Sequence, residues 1–68
     1  MVGDIRQHFA GRLRELRRKA GYTQQQLAEL AELDYKHIQR LEGSYPPYPR
    51  LDTIEKLARA FKSKLLDF

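Results

Sequence analysis

A compact all-α fold of four to five short helices is what this sequence predicts, on three observations. Apolar residues recur every three or four positions at Ile5, Phe9, Leu13, Leu16 and Ala20, and again at Leu51, Ile54, Leu57, Ala58 and Phe61, which is the period of one helix face. Capping residues punctuate the stretch between these stripes, with Thr23 and Asp34 as starts and Gly21 and Gly43 as stops. The prolines are confined to Pro46, Pro47 and Pro49, where a connector rather than a helix is expected.

The first helix is predicted over about 4–20. Gly21 ends it, and Arg17, Arg18 and Lys19 in its last turn suit the partial negative charge of a helix C-terminus. Thr23-Gln24-Gln25-Gln26 fits a capping box, which opens a second helix over 24–31 with Leu27, Ala28 and Ala31 as a narrow, small-residue apolar face. The periodicity breaks at Glu32-Leu33, so a tight turn belongs there. Asp34 then caps a third helix over 35–42, whose buried side is marked by Ile38, Leu41 and the cap itself. Tyr35, Lys36, Gln39 and Arg40 fall at i, i+1, i+4 and i+5 on roughly the opposite face.

Ser44 to Arg50 reads as a stiff extended connector. The fourth helix follows over 51–61, with Asp52 and Glu55 early and Lys56, Arg59 and Lys62 late, the order that the helix dipole favours. A short fifth helix over 64–68 would leave Leu66 and Phe68 without cover, which implies a partner or a longer parent chain. There is no internal repeat, low-complexity tract or flexible linker.

Length and composition narrow the function classes. A chain of 68 residues allows one domain, 1–68, with a small core. Cysteine is absent, so no disulfide or thiolate zinc site staples that core. Thirteen Lys plus Arg against nine Asp plus Glu give a formal charge of +4, with six of the basic residues in the first nineteen positions. That balance favours polyanions, although an acidic protein or a membrane surface shares the same attraction. Neither His8 nor His37 has a second ligand at metal spacing, and no triad or phosphate loop is present. An enzyme, a metal site and a cofactor are therefore not expected, and no small-molecule effector is evident. The opening residues do not form a signal peptide and no segment approaches a membrane span, so a cytoplasmic protein is the expectation.

Two short amphipathic helices joined by a tight turn outline a helix-turn-helix DNA reader. The chain resembles the helix-turn-helix regulators of the lambdoid phage repressor and Cro type (the XRE-like family), including the controller proteins of restriction-modification systems. The resemblance rests on Arg-x-x-Arg-x-x-Ala-Gly at Arg14 to Gly21, then Thr23-Gln24 and Leu27-Ala28, then Ile38-x-Arg40-Leu41-Glu42, then Leu51-Asp52-Thr53-Ile54 and Leu57-Ala58. Each fragment is weak alone; their joint order and spacing carry the match.

The resemblance implies a repressor-like DNA-binding domain that sets the third helix in the major groove, with Tyr35, Lys36, Gln39 and Arg40 at the base-contacting positions. Lys36 and Arg40 are donors suited to guanine, Gln39 suits adenine, and Tyr35 suits a thymine methyl or a phosphate. It further implies phosphate contacts from Thr23, Gln24, Gly43, Ser44 and Tyr45, with Gln24 bracing Tyr35. Arg17 and Glu42 match a structural ion pair between the first helix and the end of the third, and Leu65, Leu66 and Phe68 are the expected dimer seam. Two features depart from the pattern. Glu32 stands where a turn glycine is common, and the Tyr45-Pro46-Pro47-Tyr48-Pro49 loop is unusually aromatic, its tyrosines expected to pack on the fourth helix.

The expected function is sequence-specific double-stranded DNA binding by a transcriptional regulator, as a homodimer. The alternative is a protein-interaction or antitoxin-like module that uses the C-terminal apolar residues and the tyrosine-proline loop. The operator, the sign of regulation and the oligomeric state are not legible in the sequence.

Overall fold

The computed structural model describes residues 4–62. Within them the chain forms four helices, α1 (Ile5–Ala20), α2 (Gln24–Ala31), α3 (Tyr35–Leu41) and α4 (Leu51–Phe61), and no strand. The predicted short helix over 64–68, with Leu65, Leu66 and Phe68, lies outside the described residues. No described helix is long and apolar enough to cross a membrane.

Local chemistry explains the helix boundaries. Asp4 is extended and accepts from the Arg6 amide at 2.9 Å, so α1 begins at Ile5, one residue later than the predicted bound of about 4. Hydrogen bonding from the Arg6 side chain holds the Asp4 carboxyl below its ordinary pKa, reinforcing that cap. Gly21 closes α1 at φ 78°, a left-handed conformation that glycine adopts without strain. The Tyr22 amide donates back to the Arg17 carbonyl at 3.0 Å, as in a Schellman turn. At α2 both halves of the capping box are made: Gln26 N donates to Thr23 Oγ1 at 3.0 Å and Thr23 N to Gln26 Oε1 at 2.9 Å.

The turn after α2 uses the same device without a glycine. Glu32 adopts φ 58°, ψ 43°, and the Leu33 amide closes onto the Ala28 carbonyl at 2.9 Å. A side chain in the left-handed region costs about 1 kcal/mol, and Glu32 is exposed, so nothing is packed there that removal would forfeit. Glu32→Gly is accordingly expected to raise stability by about 1 kcal/mol, seen as a melting temperature higher by roughly 4–8 °C; an unchanged or lower melting temperature would show that the strain is absent.

The core gathers Phe9 and Leu13 of α1, Leu27, Ala28 and Ala31 of α2, Ile38 and Leu41 of α3, and Leu57 of α4, flanked by Tyr22, Leu33, Ile54, Ala60 and Phe61. Leu13, Leu27, Ile38, Leu41 and Leu57 are fully buried, each worth about 1.5–3 kcal/mol of transfer free energy. The Tyr22 and Phe61 rings stack at 6.2 Å between centroids and tie the α1–α2 corner to the end of α4. The small face of α2 lets it pack on both α3 and α4.

Several expectations need correction. Ile5 and Leu51 belong to apolar stripes but are 71% and 78% exposed, because each sits at a helix start that overhangs the core. Ala20 and Asp34 are exposed as well, and Asp34 serves as a cap, accepting from the Lys36 amide at 2.9 Å, without joining the buried side. Helix α3 ends at Leu41, with Glu42 as its C-cap. Gly43 keeps an ordinary backbone conformation; glycine suits it because a Cβ would lie 3.3 Å from the Gln39 carbonyl oxygen and 3.4 Å from that of Arg40. The loop tyrosines are not buried against α4: Tyr48 is 68% exposed and borders a surface groove with Ile54 of α4. Tyr45 is 95% exposed, and Tyr48 lies beneath the Arg6 guanidinium of α1, 4.4 Å from the ring centroid, in a cation–π contact.

Candidate nucleic-acid interface

Helix α3 is seven residues long, too short to persist alone in water, so its docking decides where its side chains point. Ile38 and Leu41 are fully buried, while Tyr35, Lys36, Gln39 and Arg40 are all exposed on the other face. No ion pair among the described residues engages Lys36 or Arg40. Two cations, an amide and a phenol are thus presented together on a rigid backing.

The end of α3 is anchored by Glu42, whose side chain is 1% exposed. Arg17 of α1 grips it with two bonds, Nε to Oε2 at 2.8 Å and Nη2 to Oε1 at 3.0 Å, and spends Nη1 on the Tyr22 carbonyl at 3.0 Å. These carboxylate bonds keep the Arg17 guanidinium protonated beyond its ordinary range. Gln24, the first residue of α2, adds Nε2 to Oε1 at 3.1 Å. Arg14 of α1 donates through Nη1 to the Glu42 backbone carbonyl. One acidic residue therefore fixes α1, the start of α2 and the end of α3 to each other, and no buried side-chain nitrogen or oxygen among the described residues lacks a partner.

Two of these interactions differ from what residue order suggests. Gln24, expected to brace Tyr35, has its amide held by Glu42 instead; an amide nitrogen carries two hydrogens, so one remains for an anion. Arg14 stands out in the sequence only as part of a spacing pattern, and the signal for its role is its position one helical turn before Arg17. Thr23 uses its hydroxyl oxygen to accept from Gln26, which leaves the hydroxyl hydrogen free to donate outward. Ser44 and Tyr45 are exposed just beyond α3, with Gly43 partly so. His8 is exposed and His37 half-buried.

Residues 8–64 match the helix-turn-helix domain family. The chain belongs to that family. Helix-turn-helix membership makes it a DNA-binding protein of the transcription-regulator type. Its fold is similar to the crystal structure of the restriction-modification controller protein C.AhdI from Aeromonas hydrophila, with a TM-score of 0.84 and 34% sequence identity over 91% of this chain and 92% of that one. No curated protein matches the chain. Within the helix-turn-helix frame, α2 and α3 are the paired helices and Glu32 to Asp34 the turn between them.

Proposed function

We propose that residues 1–68 act as one unit that binds double-stranded DNA sequence-specifically, with α3 in the major groove, as a transcriptional regulator. The observation that carries this reading is the outward quartet Tyr35, Lys36, Gln39 and Arg40 on a helix whose opposite side is fully buried. Arg40 and Lys36 present donors to guanine O6 and N7, Gln39 donates and accepts at adenine, and Tyr35 meets a thymine methyl or a phosphate. Thr23, Gln24, Gly43, Ser44 and Tyr45 hold the phosphate backbone on either side, setting register without reading sequence. The match to a restriction-modification controller supports a regulatory role of the same kind.

The protein works as a homodimer on a two-fold site, since one α3 touches few base pairs and specific affinity requires two half-sites about one helical turn apart. Leu65, Leu66 and Phe68 supply the seam. Catalysis has no part in this reading.

Selection of bound sequences from a random duplex pool tests the proposal: a motif with two-fold symmetry is expected. Recovery of no motif favours the protein-interaction reading, for which the exposed Tyr45, Tyr48 and Leu51 supply an apolar surface. On the selected duplex, Arg40→Ala is expected to relax preference at one base position by about 1–3 kcal/mol. Gln24→Ala weakens all sequences alike. If both variants gave the same loss profile across base substitutions, the division into reading and positioning contacts is wrong.

A further inference from the structure

Helix α1 carries six cations, and their pairing is uneven. Arg6 is bound to Asp4, Arg12 to Glu15 at 2.7 Å and Arg17 to Glu42. Lys19 forms no ion pair among the described residues, and neither do Arg14 and Arg18. Arg14 and Arg18 lie one turn apart on the same side of α1, and two adjoining surface grooves share the Arg14 side chain. One groove runs to Gly43 and Ser44 at the end of α3, with Gln7 on its rim; the other runs past Gly11 to Arg18. Glu15 and Lys19 also border the second groove, and Glu15 is already engaged by Arg12.

Arg14 is placed for more than packing. A guanidinium has five N–H donors, and its bond to the Glu42 carbonyl uses Nη1 alone. That same bond offsets the partial negative charge at the C-terminal end of α3, which otherwise repels an approaching anion. Gly11 has no side chain to fill the floor beside it; a Cβ there would be in ordinary contact with Arg14 Nη2 at 3.8 Å. A polyanionic strand leaving Ser44 therefore meets a continuous donor-lined path along the outer side of α1.

We infer that Arg14 and Arg18 form a phosphate-binding ridge on α1 that engages the DNA backbone beside the segment read by α3. The occupant is the sugar-phosphate backbone of a duplex, chosen because the ridge offers two uncompensated cations in line with exposed hydroxyl and amide donors. This inference rests on the proposed DNA-binding reading and extends the protein's footprint beyond the helix-turn-helix pair.

The test is the salt dependence of affinity for the selected duplex in Arg14→Gln, Arg18→Gln and the double variant, with Arg59→Gln as a control. Arg59 is an exposed cation of α4, paired with Glu55 at 3.4 Å. Every phosphate that a variant protomer no longer neutralises lowers the slope of log affinity against log salt by about 0.9. On the proposed dimer each substitution removes two such contacts, so the wild-type drop in affinity between 50 and 200 mM salt shrinks by roughly 12-fold for a single variant and roughly 150-fold for the double variant. Base preferences stay those of wild type, and Arg59→Gln leaves the slope unchanged. Arg18 is exposed, so its substitution keeps the test decisive even where Arg14→Gln unsettles the end of α3. A wild type that binds with variants of undiminished slope overturns the ridge alone, as does an equal drop in Arg59→Gln, which would mark a global charge effect. A wild type that binds no duplex overturns the DNA-binding reading and the ridge with it.

Discussion

Glu42→Ala is expected to destabilise the fold by about 3–5 kcal/mol, the scale for removing one member of a buried ion pair. The loss comes from what is left behind. Arg17, with a side chain only 13% exposed, would keep its charge without its two carboxylate bonds, and the Gln24 amide would lose its acceptor. A single core in a chain this small supplies only about 3–5 kcal/mol of net stability, so the variant should be largely unfolded at 25 °C, which circular dichroism and urea titration read directly. Glu42→Gln retains an acceptor and is expected to cost less, about 1–2 kcal/mol. Joint replacement, Arg17→Met with Glu42→Leu, should recover much of the loss, because a buried pair exchanged for apolar groups is often neutral. A Glu42→Ala protein within about 1 kcal/mol of wild type would show that the pair does not hold the helices together.

Ile38→Ala is expected to cost about 2–5 kcal/mol and Ile38→Val about 0.5–1.5 kcal/mol, the range for large-to-small changes at a fully buried site. The consequence reaches function, since Ile38 and Leu41 are the buried anchors of a helix too short to hold its shape unaided. Loosening that anchor frees the backbone beneath Lys36, Gln39 and Arg40. In Ile38→Val, which should remain folded, affinity for the selected duplex is expected to fall more than affinity for an unrelated duplex. Equal losses on both would mean that the precision of α3 contributes nothing to discrimination.

Much of this is legible along the chain. The bounds of α2 and α4 fall at 24–31 and 51–61 as predicted, and the Thr23 capping box and the Gly21 stop are made as their residue types require. The outward placement of Tyr35, Lys36, Gln39 and Arg40 follows from their spacing against Ile38 and Leu41. Glu32, standing where a turn glycine is common, does adopt the left-handed conformation. The departures share a physical origin. Ile5 and Leu51 have the period of buried residues yet are exposed, because a stripe shows which face of a helix is apolar but not where that helix runs past its neighbours. Tyr48 meets a cation on α1 that its loop position does not foretell, and the Gln24 amide meets Glu42 in place of Tyr35.

Helices, caps and the sidedness of α3 depend on atoms no more than about four residues apart, so residue order specifies them before any tertiary contact forms. The Glu42 anchor is different in physical origin. It joins side chains 18, 25 and 28 positions distant, and their meeting depends on how three helices cross once the apolar faces have docked. Residue order therefore established which groups α3 offers to a partner, whereas the packed arrangement alone established what holds α3 in place and which cations of α1 are left unspent.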